Sequence, residues 1–196
     1  WVLDAACRQA NAWETRLGIR LDISANLSAR DLVDPTLAAR VEALLVATAI
    51  EPGRLCLELT ETALIDHPRV AGATLRDLRQ LGVGIALDDF GTGCCSLAHL
   101  QDLPLTHIKI DRAFTAGVGI NRRNTIILES TITLAQDLGL RVIAEGVETA
   151  EQFALLQSFG CDLAQGLYFG GAQAPEEFEQ LLKASTVRPA SCMVGP

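Results

Sequence analysis

Apolar residues recur along the chain with two spacings that alternate from one segment to the next. Apolar positions three to four residues apart predict helices at 1–17, 36–50, 68–81, 96–102, 122–138 and 175–183. A capping box at 149–152 predicts the start of a further helix. Alternating positions and short apolar runs predict strands at 20–28, 54–61, 82–89, 107–111, 141–146, 161–165 and 167–170. Strands that alternate with helices are typical of a parallel sheet covered by helices, so the predicted fold class is α/β.

The number of strands favours a closed barrel over an open sheet. Seven strands follow a leading helix, whereas a TIM (β/α)8 barrel has eight strands and usually about 250 residues; this chain has 196. The simplest expectation is a barrel whose first strand lies upstream of Trp1. An open doubly wound sheet is the alternative, although no glycine-rich phosphate loop follows an early strand. We expect one domain over 1–184 and a disordered tail, rich in Ser, Pro and Gly, over 185–196.

Polar residues on the predicted strands share one face and one end. In segment 54–61, three leucines alternate with Cys56, Glu58 and Thr60, so the leucines are expected to pack against outer helices while the other face lines the barrel. The last polar residues on this inner face are, in chain order, Asn26, Glu58, Asp88, Lys109 and Glu145, and Gln165 follows on a later strand. All lie at carboxyl ends of strands, where barrel enzymes carry their active sites.

The doublet Asp88–Asp89 raises a geometric question, because neighbouring residues of a strand point to opposite faces. We expect the strand to stop between the two, with Gly91 and Gly93 turning the chain so that both acids enter one site. Several carboxylates at one mouth repel one another unless cations or protons compensate. Oxygen ligands that include Asn but no His or Cys favour magnesium or manganese over zinc.

Each residue of this set also has a purely structural interpretation. Glu58 and Lys109 could form an ion pair inside the barrel. Asn26 could cap the following helix, and Glu145 could belong to a turn at Gly146. The joint pattern is harder to explain in this way than any single member.

Composition and charge narrow the classes of ligand. The net charge of −8 argues against a nucleic-acid polymer as partner, since nucleic-acid-binding surfaces are basic. No apolar run reaches membrane-spanning length and no signal peptide is visible, so we expect no membrane contact by this domain. The six cysteines lack metal-ligand spacing and are expected to be free thiols in a reducing cytosol. The three histidines are interpreted as structural.

Six motifs follow one another along the chain. They are NLS at 26–28, ELTET at 58–62, DDFGTG at 88–93, KID at 109–111, AEGVET at 144–149 and CDLAQG at 161–166. Taken together, they resemble the EAL domain family of cyclic-di-GMP phosphodiesterases. The resemblance implies a modified eight-stranded barrel with one antiparallel strand. It also implies two-metal hydrolysis of cyclic di-GMP to linear pGpG in bacterial second-messenger signalling.

The resemblance implies metal ligands at matching positions. Asn26, Glu58 and Asp88 match the ligands of a first metal ion. Asp88, Asp89 and Glu145 match the groups around a second. The implied cofactors are two Mg²⁺ or Mn²⁺ ions, and Ca²⁺ is expected to inhibit because its coordination geometry is looser.

Other matching residues would act on water, substrate or the neighbouring loop. Lys109 matches a lysine that helps to position and activate the attacking water, so it joins Asp89 and Glu145 as a catalytic residue. Gln165 matches a glutamine of the substrate pocket. Glu61 matches a glutamate that anchors the loop after the Asp pair. Asp111 and Glu148 lie in matching motifs and are expected to have supporting roles.

The implied partner is cyclic di-GMP, with upstream sensory or cyclase domains in a longer protein and a homodimer as one route to closing the barrel. The implied location is the cytoplasm, either free or as the cytoplasmic part of a membrane-anchored protein. The competing function is a cyclic-di-GMP receptor or protein-interaction module without turnover. An unrelated metal-dependent barrel lyase would have to match all six motifs by accident.

Three features depart from the family pattern. The Glu-Ala-Leu motif is absent and would lie on the missing strand before Trp1, so residues 1–196 alone are expected to be a poor catalyst. The loop that usually reads Gly-Tyr-Ser-Ser reads GCCS at 93–96. The late segment reads QGLYFGGA at 165–172, where the family usually has a tyrosine directly after Gln-Gly and a proline soon afterwards.

Overall fold

A computed structural model describes residues 1–64, 68–91, 100 and 102–186, and the strands among them form one parallel sheet. The strands are β1 (Ile23–Asn26), β2 (Leu55–Thr60), β3 (Gly84–Phe90), β4 (His107–Ile110), β5 (Arg141–Ala144) and β6 (Leu163–Ala164). They lie side by side in chain order. A doubly wound sheet would reverse its strand order, so the expected barrel-type winding is confirmed, here as a half-barrel.

Helices lie between most of these strands; six match the predicted segments, and two, Ala29–Leu32 and Arg112–Thr115, were not predicted. The helices are α1 (Val2–Leu17), α2 (Ala29–Leu32), α3 (Leu37–Thr48), α4 (Pro68–Gln80), α5 (Arg112–Thr115), α6 (Arg122–Asp137), α7 (Ala150–Ser158) and α8 (Pro175–Thr186). The predicted capping box begins α7, where Thr149 Oγ1 accepts from the Gln152 N–H. Over the described residues, none of these helices has the length and apolar composition of a bilayer-spanning segment.

The predicted alternation of strand faces is confirmed. Leu55, Leu57 and Leu59 of β2 are fully buried against the helices, as are the corresponding residues of β3 and β4, which are Ile85, Leu87, Ile108 and Ile110. This apolar layer fixes which side chains point inward, because a shift of one residue would exchange the two faces. The carboxyl ends of the strands therefore present their polar residues on the inner side.

The prediction of a seventh strand at 167–170 is wrong. Residues 167–169 form a turn, in which the Tyr168 N–H donates to Val147 O at 3.0 Å and the Tyr168 ring stacks on Phe153 of α7 at a centroid distance of 5.8 Å. The run Leu-Tyr-Phe has high strand propensity, but packing against α7 overrides it.

Smaller differences concern the ends of elements. The strand predicted at 161–165 is only two residues long, and α8 continues to Thr186, two residues into the predicted tail. All five strand pairings are parallel, so the antiparallel strand that the resemblance implies is not among these six. The predicted short helix at 96–102 and the tail from 187 onward lie largely outside the described residues.

Candidate active site

One buried ammonium group joins three strands at the carboxyl end of the sheet. Lys109 Nζ lies 2.7 Å from Glu58 Oε2, 3.1 Å from Asp88 Oδ1 and 2.7 Å from Glu145 Oε1. The Lys109 side chain is 5% exposed, so these contacts are shielded from solvent. Four residues that the sequence predicts for one mouth are thus brought into direct contact.

The register of the sheet explains this convergence. Lys109 pairs with Ile143 in the β4–β5 ladder, so Glu145, two residues farther along, emerges on the same face as Lys109. On the other side of β4, Asp88 of β3 pairs with Thr60 of β2. Glu58 lies two residues before Thr60, so its side chain is on the same face of the sheet as that of Asp88.

The Asp88–Asp89 doublet is accommodated by a β-bulge, and the expectation that the strand stops between the two acids is wrong. Leu87 pairs with Ile108 and Phe90 with Ile110, so β3 uses one residue more than β4 over the same interval. The extra residue is absorbed at Asp89, whose φ is 56°. This left-handed conformation is one that Asp tolerates better than most residues, and it allows consecutive side chains to approach one site.

Asp88, Asp89 and Glu145 form a cluster of carboxylates. One carboxylate oxygen from each lies within 4.8 Å of the others. Burial raises the pKa of Asp89, and the charge of Asp88 raises it further. Burial also raises the pKa of Glu145, although Lys109 opposes the effect. Because the cluster offers only carboxylate oxygens, it fits a hard divalent cation such as Mg²⁺ or Mn²⁺.

Lys109 itself is held in the charged state. Burial alone would lower the pKa of its ammonium group, but the hydrogen bonds to Glu145 and Glu58 raise the pKa above its ordinary value. The ammonium group donates hydrogen bonds and supplies positive charge to the carboxylates of Glu58, Asp88 and Glu145.

Glu61 contacts the segment that follows the Asp pair, where the family resemblance implies an anchoring glutamate. The Gly91 N–H donates to Glu61 Oε1 at 3.1 Å, and Glu61 is buried in the 3₁₀ turn Glu61–Leu64 directly after β2. Gly91 has a φ of 97°, a conformation that favours glycine. Gly93, Cys94 and Cys95 lie outside the described residues.

Asn26 and Gln165 are located through their backbones. Asn26 ends β1 and pairs in register with Glu58. The Gln165 N–H donates to Ala144 O at 2.8 Å, and Gln165 O accepts from the Val147 N–H at 3.0 Å. Both side chains are exposed. Asn26 lies on the first strand of the sheet and Gln165 directly follows the last, so the two flank the strands that carry the acidic cluster.

The structure decides between some of the alternative interpretations. Ser28 caps α2 by accepting from the Asp31 N–H at 3.2 Å, so Asn26 is not the cap of that helix. Glu58 and Lys109 do form an ion pair, but the pair is part of the larger acidic site. Asp111 caps α5, since its Oδ1 accepts from the Ala113 N–H at 2.8 Å.

Sequence reasoning missed two contacts beside the site. The Phe114 ring lies against Gly91, and Arg112 lies against Gly146. Both residues follow KID on α5. The only sequence signal is that each partner glycine comes shortly after a predicted acidic ligand.

Comparison with known proteins agrees with this geometry. The family model described as EAL domain matches residues 1–172. A curated relative from Pseudomonas aeruginosa, Cyclic di-GMP phosphodiesterase PA2567, is 39% identical over 183 residues, which cover 93% of this chain and 31% of that protein. MucR of the same organism, named a bifunctional diguanylate cyclase/cyclic di-GMP phosphodiesterase, is 37% identical over 93% of this chain and 26% of its own length.

Solved structures give the same result. The MucR phosphodiesterase in complex with c-di-GMP superposes with a TM-score of 0.84 at 36% identity, covering 91% of this chain and 72% of that chain. Klebsiella pneumoniae BlrP1 in a manganese/cy-diGMP complex has a TM-score of 0.76 at 32% identity, covering 86% of this chain and 43% of that chain. A calcium/cy-diGMP complex of BlrP1 is similarly related, with a TM-score of 0.77.

Proposed function

Since the chain belongs to the EAL domain family, we propose that it hydrolyses cyclic di-GMP to linear pGpG with the help of two divalent metal ions. The observation that carries the proposal is the convergence of Glu58, Asp88 and Glu145 on Lys109, with Asp89 beside them. The chain spans less than a third of the length of the curated relatives described above, so the activity of the whole protein is part of the proposal.

Two groups of residues would hold the metal ions, taken as Mg²⁺ or Mn²⁺. Asn26, Glu58 and Asp88 would bind one ion, and Asp88, Asp89 and Glu145 the other. Metal ions at such a site stabilise the negative charge that develops on the phosphodiester oxygens during displacement. The raised pKa values of Asp89 and Glu145 support this assignment, because bound cations would compensate the charge that burial penalises.

The remaining residues would position water and substrate. Lys109 Nζ would donate a hydrogen bond to the attacking water or to a phosphate oxygen of the substrate. Asp89 and Glu145 can accept hydrogen bonds from the same water through their carboxylate oxygens. Gln165 would contact the substrate from the carboxyl end of β6. Glu61 would hold Gly91, and thereby the segment after Asp89, in place.

The cellular setting is part of the same proposal. A cytoplasmic location is supported by the substrate, a bacterial second messenger, and by the free thiols of Cys7, Cys56 and Cys161, which are typical of a reducing compartment. Upstream sensory or cyclase domains are supported by the greater length of MucR and by its bifunctional name. A homodimer is proposed as well and is testable by light scattering.

The test is the identity of the product. The chain, expressed with its native flanking sequence, is incubated with cyclic di-GMP and Mn²⁺ in isotopically labelled water. We expect linear pGpG with one labelled oxygen, and E145Q should lower the rate by at least about 100-fold, the upper end for partners that orient metal ligands. The matched control E151Q changes an exposed glutamate of α7 and should be neutral. Tight binding of cyclic di-GMP without any product would refute hydrolysis and support the receptor alternative.

A further inference from the structure

The short helix α5 lies between the two turns that carry the acidic residues of the site. It follows Lys109 by three residues, and Asp111 caps its first turn. One of these turns contains Gly91, two residues after Asp89, and the other contains Gly146, directly after Glu145. Both glycines have positive φ values, 97° and 67°. Each one is in close contact with a different residue of α5.

Phe114 fills the space beside Gly91. A Cβ atom added to Gly91 would lie 2.8 Å from Phe114 Cε2 and 3.0 Å from Phe114 Cζ, which is closer than van der Waals contact allows. Gly91 is therefore held from two sides, by the Phe114 ring and by the hydrogen bond from its N–H to Glu61 Oε1. These two contacts also restrict the backbone of Asp89, which lies two residues earlier.

Arg112 fills the space beside Gly146. A Cβ atom on Gly146 would lie 2.3 Å from Arg112 Cβ and 3.2 Å from Arg112 Cα. The second distance involves the backbone of α5, which cannot move aside as a flexible side chain can. The Glu145 N–H also donates to Ile110 O at 3.0 Å, so the turn after β5 is tied to the end of β4 as well.

We propose that α5 is a spacer that sets the separation between the turn at Gly91 and the turn at Gly146, with Phe114 as its main positioning residue. The description of these turns as metal-binding rests on the proposed function. The spacer keeps Asp89 and Glu145 at the distance at which their oxygens can share a cation. Lys109 reaches the same site from β4. The chain continues from β4 directly into α5, so the ammonium group and the spacer belong to one continuous segment.

The test measures the position of Gly91 in the metal-free protein and then the affinity for Mn²⁺. In F114A, we expect amide hydrogen exchange of the Gly91 N–H to become about tenfold faster because its local opening becomes easier. Exchange at Leu87 in the core of β3 should not change. The matched control is F159A, because Phe159 is also partly buried against the core but follows α7 at the opposite end of the sheet. F159A should lower stability without changing exchange at Gly91.

A second variant separates positioning from simple loss of stability. G91A should weaken Mn²⁺ binding about tenfold, since a Cβ at this position meets the Phe114 ring and the φ of 97° is strained for alanine. The double variant G91A/F114A removes the ring and should bind Mn²⁺ more tightly than G91A alone. Additive losses in the double variant would overturn the proposal.

The outcomes distinguish the spacer from the proposed function. Unchanged exchange at Gly91 in F114A would overturn the spacer whether or not the protein binds Mn²⁺. Faster exchange in F114A, together with no Mn²⁺ binding by the unmodified chain, would uphold the spacer and overturn the metal site instead.

Discussion

Lys109 Nζ donates to Glu145 Oε1 at 2.7 Å across the β4–β5 pair. Both groups are largely removed from solvent, and the same ammonium group contacts Glu58 and Asp88. The lysine is thus the counter-charge of the acidic site in the absence of metal. Substitution of Lys109 should therefore lower the free energy of unfolding by different amounts with and without a divalent cation.

We expect K109M to lower the free energy of unfolding by about 3 kcal/mol in the presence of a chelator, because three partly or fully buried carboxylates lose their common cation. Mn²⁺ should restore part of this loss. Urea unfolding with and without Mn²⁺ measures both values. K183M is the matched control, since Lys183 pairs with Glu179 on the exposed helix α8 and such pairs contribute at most about 1 kcal/mol. Equal effects of the two substitutions would contradict the counter-charge role.

Glu61 tests the anchoring of the segment after Asp89. E61A should lower the turnover rate by about 10- to 100-fold, as is typical for groups that orient metal ligands, while the circular dichroism spectrum is retained. E61Q keeps an oxygen acceptor for the Gly91 N–H and should lose less. If E61A retained both the full rate and the full Mn²⁺ affinity, the anchoring role would be wrong.

The environment of His107 leads us to expect that the free energy of unfolding depends on pH through a group outside the acidic cluster. Burial lowers the pKa of its imidazole, and Arg141 acts in the same direction, whereas Asp162 and Asp22 oppose it. The folded protein therefore prefers neutral His107. Its stabilising contribution is complete above about pH 6.5, the ordinary pKa, and is lost as the pH falls through the lowered folded-state value.

The measurement is the urea midpoint at pH 7.5 and pH 5.5 (~two units apart, spanning the ordinary histidine pKa). The wild-type protein should lose stability on acidification, and H107Q should lose less of it, because glutamine does not titrate. An identical pH dependence in both proteins would show that His107 contributes nothing to it.

Calcium should separate binding from turnover. Ca²⁺ takes oxygen ligands at longer distances and in looser geometry than Mg²⁺, so we expect it to support binding of cyclic di-GMP and to abolish hydrolysis. Calorimetric titration with the substrate in Ca²⁺, followed by an activity assay in the same buffer, tests both parts. Turnover in Ca²⁺ at the rate seen with Mn²⁺ would contradict this prediction.

Local sequence patterns predicted most of the fold because each depends on residues close in the chain. The alternation of Leu55, Leu57 and Leu59 with Glu58 gives the orientation of β2 directly. The same reasoning placed Lys109 and Glu145 at one end of the sheet. The role of Glu61 came from motif resemblance, and the structure supports it through the bond to Gly91.

Features that depend on distant contacts were not predictable in this way. The bulge at Asp89 is visible only in the pairing of β3 with β4. The turn at Tyr168 follows from its contacts with Val147 and Phe153, which no pattern within 167–170 encodes. The contact of Phe114 with Gly91 likewise joins separate segments and has no periodicity.

The most direct test of the metal site is the rate of cyclic di-GMP hydrolysis before and after removal of metal. The chain in its native flanking sequence is assayed with saturating Mn²⁺, then in excess chelator, and again after Mn²⁺ is restored. Two-metal hydrolysis predicts turnover in the first and third measurements and none in the second. An equal rate of pGpG formation in chelator would contradict the assignment of Asp88, Asp89 and Glu145 as the metal site.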